Sequence, residues 1–282
     1  MKNKKKENRY KLPATRFELF FDVIKQKWRT IVLVGFIFTL FALPSVATMF
    51  FRDYYVALVN ASLTEGQVLA QETAMGLSII YAVFVISFLI LSIGISGLSK
   101  VLLYLSYEEG YSFFEDFKIG VKQNIKGNVL ATLIYAIILY LTLFINVSIT
   151  KGFVKTLPLG ICQGLIFPVL LIVFASNTIY DWKFKDLLRN SAIIYIRYFL
   201  FILLFSLLLV AVFLLTLIPG IILRYIIILV YLIVFEPFFI LGFVIYMNHC
   251  FDEGINKNNY PNLYRKGLFK AKAELSKEEN NK

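Results

Sequence analysis

Charged residues, cysteine and histidine are all scarce in this sequence of 282 residues. Only 17% of the residues are charged, against about 25% in soluble globular domains. The two cysteines, Cys162 and Cys250, are too few for a disulfide framework, and the single histidine, His249, argues against a histidine-based metal site. P-loop, HExxH, GxSxG and Rossmann glycine patterns are missing as well. We therefore expect neither an enzyme nor a bound cofactor.

Apolar residues make up 59% of the chain, above the roughly 45–50% of soluble proteins, and they are concentrated in long uncharged stretches. This composition excludes a soluble domain, a disordered chain and a disulfide-rich secreted domain. A bilayer core about 30 Å thick requires about 20 apolar residues per helix, because each backbone polar group must be satisfied within the helix. The sequence thus predicts an all-α polytopic membrane protein.

Six stretches approach or reach the length of a span. The run 199–247 holds only Arg224 and Glu236 as charged residues, is too long for one span, and folds into two at Pro219 and Gly220. Prolines inside a span tend to kink it. The predicted spans are 31–51, 76–98, 129–149, 157–180, 199–217 and 221–246, and they contain Pro44, Pro168 and Pro237.

Basic residues alternate between the two sides of these spans. Of the 29 lysines and arginines, 25 lie in the segments 1–30, 99–128, 181–198 and 248–282, which share one side. The positive-inside rule places that side in the cytoplasm, so we expect both termini there, in the cell membrane. The net charge of +11 is thereby explained by orientation, and no nucleic-acid partner is needed.

The chain divides into a basic segment (1–30), a membrane domain (31–247) and a polar tail (248–282), expected to be disordered beyond about residue 269. We expect no cleavable signal peptide, because the first apolar run starts after about 30 strongly charged residues and is as long as a full span.

Amphipathic helices are predicted before the first, third and fifth spans. Phe17, Phe20, Phe21, Ile24 and Trp28 recur at helical spacing before the first, for example. Such helices lie on a membrane surface, where lysine and arginine gain about 1 kcal/mol each from anionic lipid, or they pack as solvated loop helices. The basic residues expected to face an anionic inner leaflet are Lys25, Lys27, Arg29, Lys118, Lys122, Lys126, Lys183, Lys185 and Arg189.

Glu236 is the one acidic residue deep inside a predicted span. It is either a proton or cation site, or a neutral side chain bonded to a carbonyl freed by Pro237 or to a neighbouring amide. Asn146, Gln163 and Asn177 are the other strongly polar residues within spans. They form hydrogen bonds between helices or line a substrate pathway.

Two stretches resemble the YesL-like family of bacterial membrane proteins. One is residues 38–48, with its Leu-Pro span end; the other runs from 97–104 into 109–117 and on to Lys122, Gln123 and Asn124. The resemblance covers about residues 15–250. The family has no established activity, but its members are associated with carbohydrate uptake and utilisation systems. The resemblance therefore implies an accessory or assembly factor with transporter subunits as partners, whereas Glu236 suggests a small secondary transporter or channel as the alternative.

Overall fold

The computed structural model describes residues 12–62, 70–110, 112–148 and 156–269, and this part of the chain is helical without any strand. Lys151, Lys155 and the tail beyond residue 269, for which disorder is predicted, lie outside the described residues. The helices are α1 (Arg16–Ser62), α2 (Ala70–Ser106), α3 (Phe113–Ser148), α4 (Leu157–Ile161), α5 (Phe167–Ile179), α6 (Phe184–Arg197), α7 (Phe199–Leu209), α8 (Ile221–Val234), α9 (Glu236–Phe251) and α10 (Lys257–Asn259). Shorter turns connect them: π turns at Cys162–Ile166 and Asp252–Asn256, and a 3-10 turn at Ala211–Leu217.

Five stretches are long and apolar enough to cross a bilayer: α1, α2, α3, α4 with α5 (Leu157–Ile179), and α7 with the turn after it (Phe199–Thr216). The sixth predicted span corresponds to α8 and α9, which meet at 41° and are either one broken span or a re-entrant loop. Large apolar side chains such as Phe36, Leu200 and Ile222 are more than half exposed on these helices. A surface of that kind suits lipid rather than water. The predicted all-α polytopic fold is confirmed.

The break between α8 and α9 has a local cause. Pro237 lacks an N–H group, so the carbonyl of Ile233 one turn earlier has no helical partner. Helix α1 packs closely against this point at Gly35. A Cβ atom added to Gly35 would lie only 2.1 Å from the carbonyl oxygen of Ile233. The kink expected at Pro237 is therefore present. Pro44 lies within α1 without such a break.

The three predicted amphipathic helices differ in how they join the spans. The first is the start of α1, set off by a non-helical backbone at Lys27 (φ −123°, ψ 21°). The third is the separate helix α6. The second continues directly into α3, because no turn interrupts Phe113–Ser148. Gly120 sits where α3 meets α2: a Cβ there would be 2.8 Å from the carbonyl oxygen of Ser96.

Polar side-chain contacts connect α1 to later parts of the chain at both ends of the helix bundle. We call the end where α1 begins the proximal end and the opposite one the distal end. At the proximal end, Arg16 donates to Asp252 at 2.8 Å and to the carbonyl of Lys266 at 2.9 Å. At the distal end, Asp53 accepts a 2.6 Å hydrogen bond from Arg224. The first turn of α1 is thus fixed to the segment after α9, and its last turns to α8.

Candidate functional site: a cavity between the spans

A cavity of about 220 Å³ lies between the spans, bordered by α1, α2, α3, α5, α8 and α9. Along α2 its lining extends from Phe84 to Leu103, which at 1.5 Å per residue is about 28 Å. That length is close to the thickness of the hydrocarbon core of a bilayer. The lining is almost entirely apolar, so the cavity suits a molecule that partitions into the membrane.

Three buried polar atoms in this lining have no hydrogen-bond partner in the described part of the chain. They are Ser45 Oγ on α1, Thr132 Oγ1 on α3 and Glu236 Oε2 on α9. The residues are 8%, 2% and 4% exposed, respectively. Buried polar groups are nearly always paired, and an unpaired one costs about 1–3 kcal/mol. Three of them around one cavity mark it as a candidate ligand site.

Glu236 is the first residue of α9 and therefore lies at a helix N-terminus in mid-span. The partial positive charge of that terminus favours a carboxylate by about 0.3–1 kcal/mol. This is smaller than the cost of several kcal/mol for holding an unpaired charge in a membrane interior. The helix end alone does not offset burial, so a bound cation or proton is needed to stabilise the carboxyl group.

Aromatic rings form much of the cavity wall. Phe84 and Phe88 pack edge to face with ring centroids 4.7 Å apart, and Phe88 and Tyr135 do so at 5.9 Å. Tyr135 contacts Phe167 at 5.6 Å and accepts a 3.2 Å hydrogen bond from the amide of Gln163. The faces of aromatic rings carry negative potential and attract cations. Phe84, Phe88, Tyr135 and Phe167 thus supply aromatic rings to the cavity lining.

Beside the cavity, side chains from α2, α3 and α5 form a polar cluster. Asn177 donates to Asn128 Oδ1 and to the carbonyl of Asn124, both at 2.9 Å. Asn128 donates to Ser96 Oγ at 3.0 Å, and Asn124 reaches Thr178 Oγ1, which lines the cavity. We call these five residues the asparagine cluster. Its hydrogen bonds are satisfied within the protein, so it holds helices together rather than offering free groups.

The four polar residues predicted within the spans therefore do not form one site but lie in three different places. Glu236 and Gln163 line the same cavity, whereas Asn177 belongs to the asparagine cluster. Asn146 lies near the distal end of α3, is half-buried, and does not belong to the cavity lining in the described residues. Asn124 and Asn128 were missed as site residues because they precede the predicted third span. Their spacing of four residues was the available signal.

The nine basic residues predicted to face lipid are all exposed. In the part of α1 before Lys27, Phe17 and Phe21 are also exposed, at 74% and 54%, while Leu19 and Val23 are buried. Of the apolar stripe noted in the sequence, Phe17, Phe21 and Trp28 thus point outward, as a helix on a membrane surface requires, whereas Phe20 and Ile24 pack against the core. This exposure is compatible with lipid contact.

Within the described ranges, no three His, Cys, Asp or Glu side chains group as a metal site would require. Cys162 and Cys250 are free and fully buried. The fold and the cavity together define the class: an all-α, multi-pass membrane protein that encloses an apolar cavity with one carboxyl group. Comparison of the chain with protein-family models, curated proteins and solved structures finds no match. The resemblance to the YesL-like family therefore stays a prediction.

Proposed function

We propose that this protein is a small secondary transporter that takes a lipophilic organic cation from the membrane into the central cavity. The observation that supports this most is Glu236, whose Oε2 is enclosed at the cavity and has no hydrogen-bond partner among the described residues. A hydrogen bond to a charged group contributes about 1.5–3 kcal/mol when both partners are held in place. A cationic ligand supplies what the carboxyl group lacks.

The rest of the cavity favours the same class of ligand. Its apolar length of about 28 Å accommodates a hydrophobic body, and its lining includes the aromatic rings of Phe88 and Tyr135, a residue type that attracts cations. Ser45 and Thr132 offer hydroxyl groups to a polar substituent. A soluble sugar requires many more hydrogen bonds than this lining offers, so sugars are a poor match.

Exchange with protons follows from the single carboxyl group. A proton and an organic cation compete for the same oxygen atoms, so cation uptake releases a proton. A proton gradient then drives the cation in the opposite direction. The basic proximal end is the cytoplasmic one in this proposal, because 25 of the 29 basic residues belong to that side.

The test is a flux measurement with ethidium as the lipophilic cation, in liposomes that contain DNA as a fluorescent trap. With an outward proton gradient, the wild-type protein should accelerate ethidium uptake over protein-free liposomes. Glu236→Gln, which keeps the side-chain volume but removes the charge, should abolish that gain. Glu253→Gln is the matched control, because Glu253 is an exposed acid in the turn after α9.

Two results would overturn the proposal. One is equal uptake by Glu236→Gln and the wild type. The other is no uptake above protein-free liposomes by folded wild-type protein, with either ethidium or tetraphenylphosphonium. A non-enzymatic accessory role with transporter subunits, which the family resemblance implies, is the other proposal. Recovery of a transporter permease with the crosslinked, tagged protein supports it, and consistent recovery of the protein alone contradicts it.

A further inference from the structure

A second pocket, of about 300 Å³, lies at the proximal end, away from the central cavity. It is formed where the end of α6 meets the turn after α9 and α10. We propose that it binds the phosphate group of an anionic phospholipid. The polar and aromatic residues that carry the proposal are Trp182, Asn190, Arg197, Tyr198, Asn259 and Tyr260.

The donors of this pocket match an oxyanion. Arg197 forms no ion pair in the described part of the chain, although its guanidinium group lies 5.4 Å from the centre of the Tyr198 ring. The Tyr198 hydroxyl is enclosed and has no hydrogen-bond partner among the described residues. Burial raises the pKa of Tyr198, so this hydroxyl keeps its proton and can donate it. An arginine fork, a phenol and two asparagine amides are the groups that bind phosphate.

The surroundings of Arg197 favour a lipid over a free anion. Ile196 and Leu200, on either side of it in the chain, are 76% and 71% exposed. The indole N–H of Trp182 donates to Tyr260 at 3.2 Å, and aromatic residues of this kind concentrate at membrane interfaces. The pocket therefore lies where a polar rim borders an apolar surface, and acyl chains can follow the exposed Ile196 and Leu200.

The acidic residue next to the pocket in the sequence, Glu253, forms no ion pair with Arg197 in the described part of the chain. Glu253 precedes Gly254 of the pocket and lies 3.6 Å from His249, with which it pairs when the histidine is protonated. A Cβ atom on Gly254 would be 3.8 Å from Arg197 Nη1, so the absence of a side chain there keeps the guanidinium group accessible. The pocket thus combines a free cation with room beside it.

Trp182 provides a direct measurement. The chain has two tryptophans, so Trp28→Phe leaves Trp182 as the single reporter. The variant is placed in phosphatidylcholine vesicles with increasing fractions of phosphatidylglycerol brominated near its headgroup, and the quenching of Trp182 is compared with that by brominated phosphatidylcholine. One arginine contact with an anionic lipid should give about a fivefold preference for phosphatidylglycerol.

Arg197→Gln should remove this preference, while Lys257→Gln should keep it, because Lys257 is exposed, lies outside the pocket lining and is not one of the nine basic residues expected to face lipid. Equal quenching by the two lipids, or a preference that survives Arg197→Gln, overturns the proposal. Inorganic phosphate is added to phosphatidylcholine vesicles as a separate arm. A change in Trp182 emission that needs Arg197 there assigns the pocket to a soluble anion and also overturns the lipid assignment.

Discussion

Replacing Glu236 with leucine should stabilise the protein when no ligand is bound. The substitution removes a carboxyl group with a buried, unpaired oxygen from a mostly apolar cavity wall and leaves a side chain of similar size. Most substitutions of buried residues destabilise, so a gain in stability is an uncommon outcome. It is expected here only because the carboxyl group lacks a hydrogen-bond partner in the part of the chain that the structure describes.

The magnitude follows from two opposing effects. Relief of one unsatisfied buried oxygen contributes about 1–3 kcal/mol. Loss of the favourable helix end at α9 costs about 0.3–1 kcal/mol. The net gain is therefore about 1–2 kcal/mol, and each kcal/mol raises the melting temperature by about 2–4 °C in a chain of 150–250 residues. Glu236→Gln should not share this gain, because its amide also needs partners.

Cys162 and Cys250 make the assay possible without labels, because both thiols are fully buried and react only as the bundle opens. The protein in detergent is heated with a fluorogenic maleimide, and melting temperatures are compared for wild type, Glu236→Leu and Glu236→Gln. The leucine variant should melt highest. A leucine variant that melts below the wild type would show that the carboxyl group has a stabilising partner, and the reasoning would fail.

Two further predictions concern helix packing. Gly35→Ala should lower the melting temperature, because its Cβ would lie 2.1 Å from a carbonyl oxygen at the α8–α9 bend. Such overpacking lowers the free energy of unfolding by about 1–3 kcal/mol. Gly160→Ala has open space around it and should be neutral or stabilising; equal effects of the two alanines would contradict the close approach. Asn128→Ala should cost about 1–3 kcal/mol, since it removes the acceptor of one of the two Asn177 hydrogen bonds and the donor to Ser96 Oγ. The double variant with Asn177→Ala should cost less than the sum of the two singles, and strict additivity in a thermal-unfolding cycle would argue against the bond.

The long apolar helices could be predicted because they depend only on local composition. Uncharged runs of about 20 residues reveal helices regardless of how they pack. Pro237 marked the break in the last span for an equally local reason, the missing N–H group. Residues 113–128 were harder to predict. Lys118, Lys122 and Lys126 suggested a surface helix, yet Asn124 and Asn128 on another face of the same helix are buried.

The cavity could not be predicted, because it depends on how distant helices pack together. Ser45, Thr132 and Glu236 are far apart in the chain, and hydroxyl residues in spans usually bond to their own backbone, as Thr39 does to Gly35. Glu236 alone stood out in the sequence, as an isolated acid in an apolar run. Its lack of a partner became visible only with the packing around it.

The most direct test of the central claim is to measure, by titration calorimetry, the equilibrium binding of tetraphenylphosphonium to the purified protein in detergent. We predict saturable binding to the wild type. Glu236→Gln should bind about 30-fold more weakly, corresponding to the loss of about 2 kcal/mol from a charged contact. Equal affinities of the two proteins, or no saturable binding to folded wild type, would contradict the claim that Glu236 and its cavity form a site for lipophilic cations.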